Sequence, residues 1–153
     1  MNIAIGSDHG GFPLKQELVP LLKELGHQVE DVGCHSAEST DYPIQAKAVV
    51  ELVRSGRADR GILICGTGIG MSMAANRQPG IRAALCHEIF TARMSRAHND
   101  ANVLCMGARV IGPGLARQMV IEWLKTPFDG GRHTRRVCMF DPEADCPEGS
   151  GQK

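Results

Sequence analysis

A short segment in the middle of the chain carries most of the information about its architecture: Gly61-Ile62-Leu63-Ile64-Cys65-Gly66-Thr67-Gly68-Ile69-Gly70. Its first half is almost entirely apolar, which is typical of a strand that is buried on both faces of a parallel sheet. Its second half alternates glycine with other residues, and a helical pattern follows over residues 71–76. The segment therefore predicts a buried strand, a tight turn and a helix.

The rest of the chain repeats this alternation of short β-type runs and longer helical runs. Leucines recur at helical spacing from Leu14 to Leu25, and Gly26 then ends that helix. Apolar strands separated by helices indicate an α/β fold, in which a five-stranded parallel sheet is covered on both faces. The predicted strands are 3–5, 27–32, 61–65, 82–86 and 103–106, and the predicted helices are 13–25, 42–54, 71–76, 87–97 and 113–124.

The length of 153 residues fits one domain. Periodicity stops near Val137, and the residues that follow are rich in Pro, Gly, Glu and Ser. We therefore predict a folded domain over residues 1–137. The C-terminal tail, residues 138–153, is predicted to be mobile or packed on a neighbouring subunit.

Charge and cysteine content exclude several classes of protein. Lys plus Arg and Asp plus Glu each number 17, so the excess of basic side chains that grips nucleic acid or anionic membranes is missing. The sequence shows neither a secretory signal nor an apolar run of the roughly 18–20 residues that cross a bilayer. Six scattered cysteines without a CxxC pair favour a reduced, cytoplasmic protein with neither disulfides nor a zinc site.

The candidate site residues follow from the topology. Ligands of open α/β sheets bind at the carboxyl ends of the strands, where the predicted fold places residues 7–11, 65–70 and 107–109. His98 and Asn99 instead precede the fifth strand, so they reach this cleft only if their loop folds back.

The glycine turn after Cys65 has two interpretations. Its backbone can approach an anion closely, and the helix that follows favours negative charge, which would also increase the thiolate fraction of Cys65. Alternatively, Cys65 is a buried strand-end residue beside a turn that merely needs glycine. Nucleotide-binding and phosphatase loops are disfavoured, because position 71 is Met71 where a Rossmann loop needs glycine and a phosphatase loop needs arginine.

The polar residues around the turn can serve structure or chemistry. Asp8 can cap the first helix or, with His9, bind sugar hydroxyls and move protons. His98 can end a helix or act as an acid near neutral pH. If the segment after Gly131 is helical, Arg132 and Arg136 share one face and form a phosphate clamp; otherwise they are part of a solvated basic surface. Arg109 follows the fifth strand and can add a third guanidinium.

Seven motifs occur in order along the chain: Gly6-Ser-Asp-His-Gly-Gly-Phe12, Thr40-Asp-Tyr-Pro43, Cys65-Gly-Thr-Gly-Ile-Gly70, Ala75-Asn76, Ser95-Arg-Ala-His-Asn-Asp100, Gly107-Ala-Arg-Val-Ile-Gly112 and Gly130-Gly-Arg-His133. Together they resemble the family of ribose-5-phosphate isomerases of type B and galactose-6-phosphate isomerases. The resemblance implies a Rossmann-like, three-layer α/β/α domain that works without a metal or other cofactor. It also implies a homodimer, often paired into tetramers, whose active sites are built from both subunits.

The resemblance also implies a role for each candidate residue. Cys65 is the base that forms a cis-enediol intermediate, Thr67 assists it, and the amides of Gly66, Thr67, Gly68, Ile69 and Gly70 form the anion hole. His98 is the acid that opens the sugar ring, and Asp8 and Asn99 bind hydroxyls. The phosphate cradle comprises His9, Arg109, Arg132 and Arg136.

Ribose 5-phosphate is the expected substrate of such an isomerase. Allose 6-phosphate, galactose 6-phosphate and erythrose 4-phosphate are the alternatives, since each offers the same reacting end. A flavodoxin-like module that binds a phosphate ligand without turnover is a different interpretation of the glycine turn. A redox-sensing cysteine protein is another.

Overall fold

Five parallel strands form the centre of the computed structural model, which describes residues 1–141 and Ala144. They lie in the order β2-β1-β3-β5-β4, so β3, the strand that ends at Cys65, is central and β2 is at an edge. This confirms the predicted parallel sheet. The strands are β1 (Asn2–Ser7), β2 (Gln28–Asp31), β3 (Arg60–Cys65), β4 (Ala83–Leu85) and β5 (Val103–Gly107).

Helices cover both faces of the sheet, which confirms the three-layer α/β/α architecture. Alternate side chains of β3 serve the two layers: Ile62 and Ile64 pack with α1 and α5, whereas Leu63 and Cys65 pack with α2 and α3. The helices are α1 (Phe12–Glu24), α2 (Tyr42–Arg54), α3 (Ile69–Ala75), α4 (Ile89–Asn99), α5 (Pro113–Lys125) and α6 (Arg132–Cys138).

The strand register aligns the ends of the strands along two opposite edges of the sheet. Cys65 at the end of β3 pairs with Gly107 at the end of β5, and Ser7 of β1 pairs with Ile64. We call this side the carboxyl edge. The amino edge carries the first residues of the strands and the last turn of α4, which ends at Asn99, just before β5.

The end of the chain differs in part from the prediction. Residues 132–138 do form a helix, and Asp141 is buried and paired with Arg82. Cys138 is disulfide-bonded, so the expectation of a chain without disulfides is wrong there, because the lack of a CxxC pair does not exclude a disulfide. The remainder of the predicted tail, 142–143 and 145–153, lies outside the described residues.

The helices were compared with the length and apolar character that a membrane-spanning helix needs. Across residues 1–141, none combines the length and the apolar character that crossing a bilayer requires.

Candidate active site

The glycine turn places a peptide N–H group directly on the sulfur of Cys65. The N–H of Gly68 donates a hydrogen bond to Sγ over 3.0 Å, and the thiol is only 5% exposed. A donor held at this distance stabilises sulfur most when the sulfur is ionised. The contact therefore supplies a donor for negative charge on the sulfur at the carboxyl edge.

Gly68 adopts a backbone conformation that other residues rarely adopt. Its φ is +78°, and a Cβ there would lie 2.5 Å from Leu85 Cδ1 and 2.8 Å from the carbonyl carbon of Met106. Glycine is therefore required twice at this position, for its dihedral angle and for its lack of a side chain.

We expect Gly68→Ala to lower the free energy of unfolding by about 2–4 kcal/mol, because the strain of a positive φ adds to a clash with backbone atoms. Gly56→Ala is the matched control, since Gly56 has a φ of +71° with nothing within 4 Å of its Cβ position. Gly56→Ala should lower the free energy of unfolding by only about 1–2 kcal/mol. Urea unfolding measures both, and equal losses would contradict the packing argument.

Three carbonyl groups of the turn accept backbone hydrogen bonds. The backbone N–H groups of Ala108 and Arg109 donate to the carbonyls of Cys65 and Gly66 over 2.9 and 3.0 Å. The N–H of Ser72 donates to Gly68 over 3.0 Å. These bonds restrain the turn on either side of the Thr67–Gly68 peptide, and restrained amides are what an anion site requires.

Asp8, His9 and Arg109 surround the same turn. Asp8 is buried, and its Oδ1 accepts the N–H of Gly11 over 2.9 Å. Gly11 is itself the N-cap of α1, so Asp8 bonds the turn that precedes the helix, and the prediction that it caps the helix is wrong. Nδ1 of His9 accepts the N–H of Thr40 over 3.3 Å, so a neutral His9 carries its proton on Nε2 and can donate to a ligand. The exposed side chain of Arg109 lies across the turn, 3.4 Å from where a Cβ on Gly66 would be.

His87 is a further residue at this edge that the sequence analysis did not single out as a site residue. It follows β4, and its Nε2 lies 3.1 Å from the carbonyl oxygen of Thr67. A lone histidine after a strand carries no signal of such a contact, which depends on where β4 lies in the sheet.

The other candidate residues lie at the amino edge. The ring of His98, in the last turn of α4, stacks on His133 with centroids 4.2 Å apart. The N–H of Asp129 donates to the carbonyl of Ala97 over 2.9 Å and so ties the start of α6 to α4. Asn99, Arg132 and Arg136 are exposed on these two helices. Desolvation, followed by the positive charges of His98 and the two arginines, lowers the pKa of His133.

His98, Asp129 and His133 also place three ligand atoms within 4.8 Å of one another. The two imidazole rings are nearly parallel, however, with an angle of 4° between their planes. Their in-plane lone pairs therefore run side by side and do not converge on one ion. The cluster needs side-chain rotation before it can hold a metal.

The structure thus divides the predicted site residues into two groups. His98 and Asn99 do not fold back to the cleft of their own chain, because α4 ends at the opposite edge from Cys65. The strand β3 between the edges has six residues, about 16–20 Å at 3.2–3.4 Å per residue. One chain therefore brings Asp8, His9, Cys65 to Gly70 and Arg109 together, and it holds His98, Asn99, Arg132 and Arg136 apart from them.

Residues 3–140 match the model of a family described as Ribose/Galactose Isomerase. The chain belongs to this family. Its relatives include ribose-5-phosphate isomerase B of Escherichia coli, 53% identical over 88% of this chain and 91% of the relative. A structure of ribose-5-phosphate isomerase B from Clostridium thermocellum superposes with a TM-score of 0.89 at 57% identity, covering 90% and 93% of the two chains.

A more distant relative has a different name. The D-erythrulose-4-phosphate isomerase of Pectobacterium atrosepticum is 41% identical over 90% of this chain and 91% of its own. Family membership makes this chain a sugar-phosphate isomerase, an enzyme that interconverts aldoses and ketoses. It disfavours both the flavodoxin-like module and the redox sensor.

Proposed function

We propose that this isomerase interconverts ribose 5-phosphate and ribulose 5-phosphate, with Cys65 as the base. The observation that carries the proposal is the hydrogen bond from the N–H of Gly68 to Sγ of Cys65, which places a donor for negative charge on the sulfur beside a glycine turn. The names of the relatives from Escherichia coli and Clostridium thermocellum support ribose 5-phosphate as the substrate.

The chemistry is a proton transfer between neighbouring carbons. The thiolate of Cys65 removes the proton from the carbon beside the aldehyde, the electron pair moves to the carbonyl oxygen, and an enediolate forms. The former aldehyde oxygen takes up a proton, the hydroxyl of the second carbon gives one up as its carbonyl forms, and the carbon-bound proton returns to the former aldehyde carbon, which leaves the ketose. Amides of residues 66–70 form the oxyanion hole, but the N–H of Gly68 donates to Sγ of Cys65 and that of Ile69 to the Thr67 hydroxyl, so Gly66, Thr67 and Gly70 supply the donors to the oxyanion. Removing one such donor costs about 2.7–4 kcal/mol, and Thr67 lies beside the reacting atoms.

The remaining residues bind the substrate from two subunits. Asp8 binds a hydroxyl, and His9 and Arg109 reach the phosphate from the chain that carries Cys65. His98 opens the sugar ring, Asn99 binds a hydroxyl, and Arg132 and Arg136 complete the phosphate cradle. The gap between the two edges supports a homodimer, because a five-carbon substrate cannot span one chain.

The proposal also covers the oligomeric state of the enzyme, the bounds of its catalytic domain and its location in the cell. Dimers can pair further into tetramers, and the match over residues 3–140 supports a catalytic domain over 1–137. A cytoplasmic location fits a substrate whose phosphate charge retains it inside cells.

We expect Arg132→Ala and Arg136→Ala each to raise KM about 10- to 100-fold with a smaller change in kcat, because each removes a charge-assisted hydrogen bond to phosphate. Initial rates over a range of substrate concentrations separate the two constants. Arg54→Ala, at the exposed end of α2, is the control and should leave both unchanged. Normal KM values in both α6 variants would remove these arginines from the cradle.

A panel of phosphorylated sugars with four to six carbons tests the substrate. The expected result is the highest kcat/KM for ribose 5-phosphate. Erythrose 4-phosphate is the specific alternative, because the Pectobacterium relative is named for its ketose. A higher kcat/KM for that sugar, or for allose or galactose 6-phosphate, would reassign the substrate. Failure to isomerise any of them would contradict the proposed function.

A further inference from the structure

The imidazole of His87 contacts the glycine turn from the outside. It is half-buried after β4, and its Nε2 lies 3.1 Å from the carbonyl oxygen of Thr67. A carbonyl oxygen can only accept a hydrogen bond, so Nε2 carries the proton and donates it. None of the roles assigned above uses this residue.

The peptide that His87 holds is the one that reaches the sulfur. The Thr67–Gly68 peptide is planar and trans, so its C=O and N–H groups point in opposite directions. Its C=O accepts from His87, and its N–H donates to Sγ of Cys65 over 3.0 Å. One rigid peptide therefore connects the imidazole to the thiol.

We propose that His87 is a positioning residue that acts on Cys65 through the Thr67–Gly68 peptide. The peptide needs such a restraint, because glycine at position 68 tolerates many backbone angles and a flipped peptide would turn its carbonyl oxygen towards the sulfur. An oxygen in that place would repel a thiolate. Donation to the C=O also polarises the peptide and strengthens its N–H as a donor.

Packing against β5 holds the Thr67 side of this peptide, and the hydrogen bond from His87 adds a restraint on the direction of its C=O. A Cβ on Gly107 would lie 2.7 Å from the carbonyl carbon and oxygen of Thr67, so the backbone there is in close contact with β5. Ile69 donates its N–H to the hydroxyl of Thr67 over 3.3 Å, which restrains the following peptide.

The other ionisable groups near His87 and the sulfur of Cys65 are neutral, bond other groups, or lie on the other side of the turn. Burial raises the pKa of Cys86 and of Cys105, so both remain neutral thiols. The carboxylate of Glu88 accepts the N–H groups of Phe90 and Thr91. Asp8 and Arg109 lie on the Gly66 and Gly10 side of the turn. A change in the reactivity of Cys65 after substitution of His87 is therefore attributable to loss of the imidazole N–H donor.

The test compares His87→Leu, which removes the donor, with His87→Gln, which keeps an N–H at a similar reach. The rate of Cys65 alkylation by iodoacetamide at neutral pH is measured by peptide mass spectrometry in the full-length protein, with Cys34 in the same sample as the reference. Cys34 is a free, half-buried thiol and is suited to that purpose. We expect the Cys65 rate to fall about threefold or more in His87→Leu. In His87→Gln it should stay within about twofold of the unsubstituted protein.

Each outcome supports or overturns the proposal. Equal Cys65 rates in the unsubstituted protein and His87→Leu, including no reaction in either, would overturn it. An equal loss in both variants would also overturn it, because Gln retains the donor. The inference about turnover rests on the proposed function: kcat for ribose 5-phosphate should fall in His87→Leu with little change in KM. Alkylation needs no substrate, so failure of the proposed function leaves the alkylation result interpretable.

Discussion

Replacing Cys65 by alanine is expected to lower kcat by about two to four orders of magnitude, because the proton on carbon loses its base and water cannot replace a positioned thiolate. The phosphate-binding groups lie elsewhere, so KM, or the affinity for inorganic phosphate as a competitive inhibitor, should change little. Steady-state rates and inhibition constants measure both. The side chain is small, and the fold should survive its truncation.

Cys34→Ala is the matched control for that experiment. Cys34 is also a free thiol near the carboxyl edge, and the N–H of Cys34 is bonded to the carbonyl of Ser7 at the end of β1. It lies outside the glycine turn and should be replaceable without loss of kcat. Near-normal turnover by Cys65→Ala would remove Cys65 as the base, and inactivation by both substitutions would point to a general effect of thiol loss.

The second large effect is a recovery of activity. Cys65→Ala disables the site residues at the carboxyl edge, and the double variant Arg132→Ala/Arg136→Ala disables those at the amino edge. If each site takes one group from each subunit, a hybrid dimer of the two variants has one intact site and one doubly defective site. Random mixing makes half of the dimers hybrid. At a substrate concentration far below KM, where the arginine parent is nearly inactive, we therefore expect about a quarter of the normal activity from the mixture.

Subunit exchange by co-expression with two different affinity tags allows the hybrids to be purified and assayed. Each parent, carried through the same steps, gives the baseline. A hybrid with no more activity than its parents would contradict the split site, since two sites that each lie within one chain would both be defective.

Much of the architecture was predictable from local patterns. The apolar runs that end at Ile5, Cys65 and Met106 identified strands because only a strand buried on both faces is apolar throughout. The helix over Tyr42–Arg54 was predicted with its observed bounds, because Pro43 favours the start of a helix and Ser55-Gly56 its end. The glycine turn was predicted for the same reason, since close backbone approach requires residues without side chains.

Long-range arrangement was not predictable from those patterns. The contact between His87 and Thr67 depends on β4 lying beside β5, and strand order leaves no local mark in the sequence. The separation of His98 from Cys65 depends on α4 continuing to Asn99, two residues beyond the predicted end, with Asp100 in a left-handed conformation that closes the helix. Hydrogen bonds from Arg82 and Arg96 to the Asp100 carboxylate hold that end in place.

Isomerisation of ribose 5-phosphate in heavy water tests the role of Cys65 most directly. A base that carries the proton between neighbouring carbons exchanges part of it with solvent, so the unsubstituted enzyme should place deuterium on the carbon beside the carbonyl, as nuclear magnetic resonance would detect. With Cys65→Ala the incorporation should fall to the rate without enzyme. Deuterium entering at an undiminished rate in that variant would contradict the assignment of Cys65 as the base.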